Sequence, residues 1–361
     1  MPLVAHSKLP TFERLRQEGQ TVLRPGQAAH QDIRALHIGI LNMMPDAAME
    51  ATERQFFRLI GESNPIAQFH VHLFSLPVFK RGEKAQKHID AYYNSFEEIQ
   101  DKGIDALIIT GANVSQPKLP LEPFWEPLSE VFNWAHQNVT STLCSCLATH
   151  ASLELHHNQP RYGLGFKRWG VFSHRVTDKH HPLVHGINTR FDVPHSRFNQ
   201  IDRSQFEQAG LHVLAESKEA GVQMAVSSDG FRTVYFQGHP EYDSISLLKE
   251  YKREVGRFAL ALNRGEEIEY PPFPANIFDL HTQAIFDEYQ YRLIEALTKT
   301  QTKPPEFPEH LILDRIDNSW HDTAAAIMAN WMGLVYQVTN VDRKLPFMDG
   351  IDPDDPLGLK R

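Results

Sequence analysis

Apolar residues gather in short runs along the chain, separated by stretches where they recur every three or four positions. The first strong run, Ala35–Leu41 (ALHIGIL), stops at Asn42-Met43-Met44-Pro45 and predicts a buried strand that leads into a loop. Glu50–Ile60 repeats apolar residues at helical spacing. Phe69–Leu76 predicts a second strand and Lys87–Gln100 a helix. Asp105–Thr110 predicts a strand closed by Gly111-Ala112. Glu122–Asn138 follows as a helix carrying Trp125 and Trp134, then a strand at Val139–Cys146 and a helix at Leu147–Leu155. This alternation predicts an α/β fold, a mostly parallel sheet flanked by helices. In such sheets ligands bind at the carboxyl ends of the strands, so the loops after Leu41, Thr110 and Ser145 should converge on one edge.

The second half continues with strands at Leu211–Ala215, Val222–Ser227 and Thr233–Gln237 and a helix at Ser244–Leu262. Tyr270–Pro274 (YPPFP) then breaks the pattern. The expected organisation is a polar arm over 1–34, a catalytic α/β unit over 35–270 and an insertion or extension over 271–316. A helix-bearing segment over 317–345 should pack on that unit, and 346–361 should form a tail. The insertion holds one predicted helix, Ile285–Leu297, and a proline-rich stretch. The segment after it holds the apolar helix Asp322–Val338.

Composition narrows the function. Over 361 residues, 36 basic side chains face 45 acidic ones, a net charge of −9. A duplex-binding surface needs a basic face, so nucleic acid is not an expected partner. No window is long and apolar enough to span a membrane, and the N-terminus lacks a signal-peptide core. The two cysteines, Cys144 and Cys146, exclude a disulfide framework and fit a reducing, cytoplasmic compartment. The 20 histidines are scattered. The pairs at 156–157 and 180–181, and His70 with His72, lack the carboxylate or cysteine framework of a metal centre, so no metal site is expected.

Two motifs carry candidate chemistry. In Thr142–His150 (TLCSCLATH) an apolar strand runs straight into a helix with Cys146 at the junction. That is a nucleophile elbow: the helix N-terminus favours an anion there, and the N–H of Leu147 can donate to an oxyanion. Taken alone, Cys146 reads equally well as a small buried cysteine. In Tyr235–Asp243 (YFQGHPEYD) a strand ends in a loop carrying His239, with Glu241 placed to orient its ring. The two motifs together supply a Cys–His–Glu nucleophilic site. Two further stretches are open between site and surface. Asp192–Phe198 (DVPHSRF) predicts a loop beside the site or a turn with a solvated arginine. Gly165–Gly170 (GFKRWG) predicts an exposed basic turn.

With these motifs in hand, the sequence resembles the homoserine O-succinyltransferase family, whose fold is class I glutamine-amidotransferase-like (flavodoxin-like). The resemblance rests on ILNMMP at 40–45, ALIITGA at 106–112, NVTSTLCSC at 138–146, VPHSRF at 193–198, GHPEYD at 238–243 and NWMGLVYQVT at 330–339. It runs over about 33–270 and resumes at 318–342. It implies that Cys146 is the acylated nucleophile, His239 the general base and Glu241 its partner. It implies substrate-binding roles for Lys167, Ser196 and Arg253, an oxyanion hole at Leu147 and Ala112, and packing for Cys144. It further implies that Ser115, small and uncharged where a glutamate favours acetyl-CoA, admits succinyl-CoA.

The implied reaction is ping-pong transfer of a succinyl group from succinyl-CoA, a co-substrate, to the hydroxyl of L-homoserine in methionine biosynthesis. A homodimer and no permanently bound cofactor go with it. The chain departs from the family pattern at 46–54, where lysines are missing and the loop is longer. It also exceeds a typical member in length, with most of the excess in 275–316 and the tail. Acetyl-CoA as donor or L-serine as acceptor would use the same chemistry. A glutaminase or a non-catalytic binding protein of the same fold stands further off.

Overall fold

The computed structural model describes residues 3–30, 33–64, 66–299 and 303–360. Met1, Pro2, Gln31 and Asp32 of the expected arm, Thr300–Thr302 of the expected insertion and Arg361 of the expected tail lie outside the described residues. In chain order the first half runs β1 (Leu3–Val4), α1 (Pro10–Gln17), β2 (Val22–Leu23), α2 (Pro25–Ala29), β3 (Ala35–Leu41), α3 (Asp46–Glu62), β4 (Gln68–Phe74), α4 (Glu83–Tyr92), α5 (Phe96–Lys102), β5 (Ala106–Ile109), α6 (Trp125–Asn138), β6 (Ser141–Ser145) and α7 (Leu147–His157). The second half runs β7 (Tyr162–Val176), β8 (Arg190–Gln200), α8 (Arg203–Gln208), β9 (His212–Ser217), β10 (Gly221–Val226), β11 (Thr233–Phe236), α9 (Ser246–Asn263), α10 (Leu280–Thr298), α11 (Glu309–Ile312) and α12 (His321–Val338).

Among the described residues the strands form one sheet in the order β2-β1-β4-β3-β5-β6-β11-β10-β9-β7-β8. Pairings from β2 across to β11 are parallel, and those from β11 to β8 are antiparallel. The mostly parallel α/β class read from the alternation is therefore the observed one. The neighbours β3, β5, β6 and β11 all point the same way, which lays the loops after Leu41, Ile109, Ser145 and Phe236 side by side. These strands are buried on both faces, which explains their near-continuous apolar sequence. One face is covered by α1, α3 and α12, through Phe12, Phe56, Phe57 and Trp331. The other is covered by α5, α6 and α7, through Ile99, Leu128, Phe132 and Ala151.

Three expectations need correction. The single helix at Lys87–Gln100 is two helices. Ser95 accepts the Glu98 N–H at 3.2 Å while the Glu98 carboxylate takes the Ser95 N–H at 3.2 Å, a capping box that restarts the chain as α5. The stretches 165–170 and 192–198 are not turn and loop but facing parts of the antiparallel β7–β8 hairpin, with Trp169 opposite Ser196. A third cluster joining Trp169 and Val171 to α9 and α10 buries one side of that hairpin. Of the N-terminal segment, residues 3–30 pack on the sheet and the core. Leu3 pairs with Phe69 and with Val22, and Phe12 and Leu15 are buried in the main core. The C-terminal stretch is pinned as well, by Phe347 in the core and by the Thr140 hydroxyl donating to the Pro346 carbonyl at 2.5 Å. Among the described residues no helix is long and apolar enough to cross a membrane.

Candidate active site

β6 ends at Ser145, and α7 begins at Leu147, which leaves Cys146 alone in the turn. Its backbone has φ 53° and ψ −105°, a left-handed region that a side chain adopts only under constraint. The constraint comes from both sides. The Cys146 N–H donates to the Phe236 carbonyl at 2.7 Å, and the Cys146 carbonyl accepts the Thr149 N–H at 3.1 Å. The side chain is thus thrust out at the sheet edge, partly exposed, while Cys144 is fully buried with its thiol pushed up by burial. Cys144 packs and Cys146 is presented. The N–H of Leu147 opens the helix and has no intrahelical partner. Gly111 closes the opposite wall: a Cβ placed there would lie 3.8 Å from the Cys146 Cβ and 3.6 Å from the Met44 sulfur. The loop carrying Ala112 therefore borders the nucleophile position.

The loop after β11 brings in His239. Gln237, wholly buried, fixes its root. The Gln237 carboxamide donates to the Ile201 and Val222 carbonyls and accepts from the Ile201 N–H, while the His150 ring bonds the same oxygen at 3.0 Å. Gly238 donates to the Gln223 side chain at 2.8 Å, and His239 donates to the Pro194 carbonyl at 2.7 Å. The His239 Nδ1 meets the Glu241 carboxylate at 2.8 Å, and both groups are buried. Burial works against a charged ring. Cys146, within hydrogen-bonding reach, and Glu241 outweigh it and hold His239 well above the usual histidine range. The expected Cys–His–Glu residues therefore lie together, with the His239 ring between sulfur and carboxylate.

Two of the three expected substrate residues meet at a carboxylate that the sequence reading did not single out. Glu250 on α9 accepts from the Lys167 ammonium at 3.0 Å, the Ser196 hydroxyl at 2.6 Å and the Tyr242 hydroxyl at 2.8 Å. Burial alone would raise its carboxyl, but Lys167 and these hydroxyls keep it below the usual value. Lys167 also lies 3.9 Å over the Trp169 ring, and Tyr242 stacks on His239 at 4.4 Å. A continuous set of contacts thus links the triad to Lys167 and Ser196. Arg253 is not part of it: it sits one turn further along α9, about half exposed, with its Nε 3.5 Å from Glu254. Ser115 lies in the loop after β5, where its N–H and the Gln116 N–H hold the buried Glu122 carboxylate at 2.5 and 2.6 Å. Among the described residues no group of three or more His, Cys, Asp or Glu is arranged to hold a metal ion.

Comparison with known proteins adds the following. A family model described as homoserine O-succinyltransferase matches residues 2–341. The chain is 63% identical over 361 residues to a homoserine O-succinyltransferase of Nitrosococcus oceani, covering 100% of this chain and 99% of that one. A protein of the same name from Allochromatium vinosum is 63% identical over 359 residues, covering 99% of each. Among solved structures, a glutamine amidotransferase of Thermotoga maritima is similar at 11% identity with a TM-score of 0.45, covering 84% of this chain and 98% of that one. The match does not pause between 271 and 317, and both relatives span 275–316 and the C-terminal stretch.

Proposed function

The chain belongs to the homoserine O-succinyltransferase family, and from that premise we propose how its own residues carry a succinyl group from succinyl-CoA to the hydroxyl of L-homoserine. The observation that carries the reading is the strained Cys146 elbow facing a His239 whose Nδ1 is held by the Glu241 carboxylate at 2.8 Å. His239 takes the Cys146 proton, and the sulfur attacks the thioester carbonyl. The N–H groups of Leu147 and of the Gly111-Ala112 loop receive the developing oxyanion. Collapse breaks the bond to CoA, and the His239 proton passes to the departing sulfur. His239, now neutral, takes the proton of the homoserine hydroxyl, whose oxygen attacks the succinyl-cysteine. A second tetrahedral intermediate expels the Cys146 sulfur, which takes the proton back from His239 and closes the cycle. Covalent catalysis splits one hard displacement into two easier ones. Glu241 holds the ring in the orientation that keeps Nε2 toward the reacting atoms.

Lys167 and Ser196, gathered at Glu250, receive the amino-acid acceptor, and the half-exposed Arg253 meets its carboxylate. Ser115 leaves room for the succinyl group. The enzyme needs no resident cofactor or metal, acts in the cytoplasm in methionine biosynthesis, and works as a homodimer. The test is thiol release crossed over succinyl-CoA and acetyl-CoA with L-homoserine and L-serine, with intact mass read for acyl-Cys146. The succinyl-CoA and homoserine pair should be preferred. Cys146→Ala should abolish both turnover and the mass shift, and His239→Ala should cost at least about a hundredfold in rate. Acyl-enzyme formation in the Cys146→Ala protein would exclude the mechanism.

A further inference from the structure

Strand order gives the two sides of Cys146 different surroundings. β6, which presents the nucleophile, lies between β11 and β5. On the β11 side stands His239 and, through the Tyr242 ring stacked on it, the Glu250 cluster that gathers Lys167 and Ser196. The other side runs through the loops after β5, β3 and β4. There a cleft of about 380 Å³ is lined by Met43 and Pro45 after β3, Ala47 at the start of α3, Phe79 and Lys80 after β4, and Asn113 after β5. That volume lies in the range of small-molecule sites.

A single wall separates the cleft from the nucleophile. It is formed by Met44, between two lining residues, and by Gly111, two positions before a third. A Cβ on Gly111 would lie 3.6 Å from the Met44 sulfur and 3.8 Å from the Cys146 Cβ. The rim of the cleft is held in place. The Asp46 carboxylate accepts the Gly82 N–H at 2.8 Å, and the largely buried Arg81 guanidinium donates to the Met44 carbonyl at 2.6 Å and to Asp46 at 3.3 Å. These bonds tie the loop after β4 to the start of α3 and occupy the Asp46 carboxylate. The nearby Lys84 and Lys87 are paired with Glu50 and Glu83. Lys80 and Asn113 are exposed, and among the described residues neither side chain has a hydrogen bond or an ion pair.

An acyl-CoA carries its thioester at one end and its phosphates at the other, joined by an arm of amide and methylene groups. The thioester carbonyl must reach Cys146, and the His239 side leads to the acceptor residues. We propose that the cleft seats the pantetheine arm of the acyl-CoA, with Asn113 bonding an amide of the arm and Lys80 meeting the phosphates at the mouth. The inference rests on the acyl-transfer reading of Cys146 and adds where the donor lies. From β6 through β5 and β3 to β4 is about 14 Å at the usual strand spacing, a span that the extended arm bridges. Met43 and Phe79 offer the methylene groups an apolar floor. The Asn113 carboxamide both donates and accepts, and the Lys80 ammonium is a point charge suited to phosphate. A second cleft, on the flank of α1 and α3, holds Arg14 and Arg58, but these are already paired with Glu18 and Asp243.

The experiment measures acylation of Cys146 by intact mass in the full-length protein at varied donor concentration. The donors are succinyl-CoA, succinyl-pantetheine, which lacks the phosphates of CoA, and S-succinyl-N-acetylcysteamine, which lacks most of the arm. Lys80→Glu should lower the second-order rate with succinyl-CoA about 5- to 20-fold and leave succinyl-pantetheine within about twofold. The loss should shrink in about 0.5 M salt, as a contact between exposed charges requires. Ala47→Trp, at an exposed position, should obstruct the cleft and slow succinyl-CoA and succinyl-pantetheine alike by about tenfold. S-succinyl-N-acetylcysteamine should stay within about threefold. If Ala47→Trp fails to fold, Lys80→Glu across the three donors still decides. Equal losses with all three donors would mark a general structural effect and overturn the inference, as would an unchanged succinyl-CoA rate in either folded variant. Lys249→Glu, in the second cleft, should leave all three donors unchanged; a loss confined to succinyl-CoA there would move the phosphates to that cleft and overturn the assignment. Absence of any acyl-Cys146 in the unaltered protein would instead sink the acyl-transfer reading beneath it.

Discussion

Glu250 is the residue on which the acceptor side of the site turns. Its two oxygens collect an ammonium and two hydroxyls, and a glutamine in its place offers one acceptor oxygen and adds two donors. Lys167 would then lose its counter-ion, with only the Trp169 face to lean on. Glu250→Gln should therefore lower kcat/KM for homoserine by about 10- to 100-fold. Acylation by succinyl-CoA should change by less than about threefold. Equal losses in both half-reactions would show that Glu250 supports the triad through Tyr242 rather than the acceptor. At this scale the sequence was informative where a residue sits in a distinctive local setting. Cys146 stands between an apolar strand and a helix, and His239 follows a strand and a glycine. Glu250 lies in a polar stretch of an amphipathic helix and has no local surroundings that set it apart, because its meaning comes from residues far away in the chain.

Elements were legible where burial on both faces writes a continuous apolar run. β3 matches the expected Ala35–Leu41 residue for residue, and β5, β6 and β11 fall inside the expected runs. The β7–β8 hairpin was not legible. Its start is exposed on both sides, and its buried part packs on α9 and α10 rather than on the main core. Glycines and paired cations in such a strand imitate a turn. One of those glycines is a structural requirement. Gly170 has φ 141°, and a Cβ there would meet the Ala275 carbonyl oxygen at 2.2 Å. The close approach lets Val171 donate to the Ala275 carbonyl at 2.9 Å and Ala275 donate to the Trp169 carbonyl at 2.8 Å. That pairing ties the hairpin carrying Lys167 and Ser196 to the segment leading into α10. Gly170→Ala should cost about 2–4 kcal/mol through overlap and backbone strain, read as a lower denaturant midpoint. It should weaken homoserine use more than acylation, since Cys146 and His239 stand on other strands. An unshifted midpoint would mean that the Ala275 segment yields freely.

The whole molecule is closed by pieces that the sequence pattern left at its margins, and one histidine cluster shows what holds them. His6 from the N-terminal segment, His37 from β3 and His70 and His72 from β4 lie ring against ring, with centroids 4.7 to 5.3 Å apart. The His37 and His72 rings share a hydrogen bond at 2.9 Å, and His6 bonds the Val71 carbonyl at 2.9 Å. The charged groups packed around them are Lys102 at the end of α5 and Arg343 beyond α12, with Asp105 holding the His37 N–H. Burial first, then these cations and the neighbouring rings, bring His37 down to about 3 and His70 to about 4. In the unfolded chain such rings take up protons near pH 6.5, so between that value and the folded ones the unfolded state binds more protons. The cluster's contribution to stability is therefore full above about pH 6.5, declines as pH falls below it, and is lost near pH 3. His70 makes only ring contacts among the described residues, so His70→Phe keeps the stacking and removes one titrating group. The acid-unfolding midpoint, followed by circular dichroism, should fall by about half a pH unit while stability at pH 8 changes little. A midpoint that stays put or rises would place the acid sensitivity elsewhere. A drop would show that the junction of the N-terminal segment, the sheet and the C-terminal stretch governs how the molecule opens in acid.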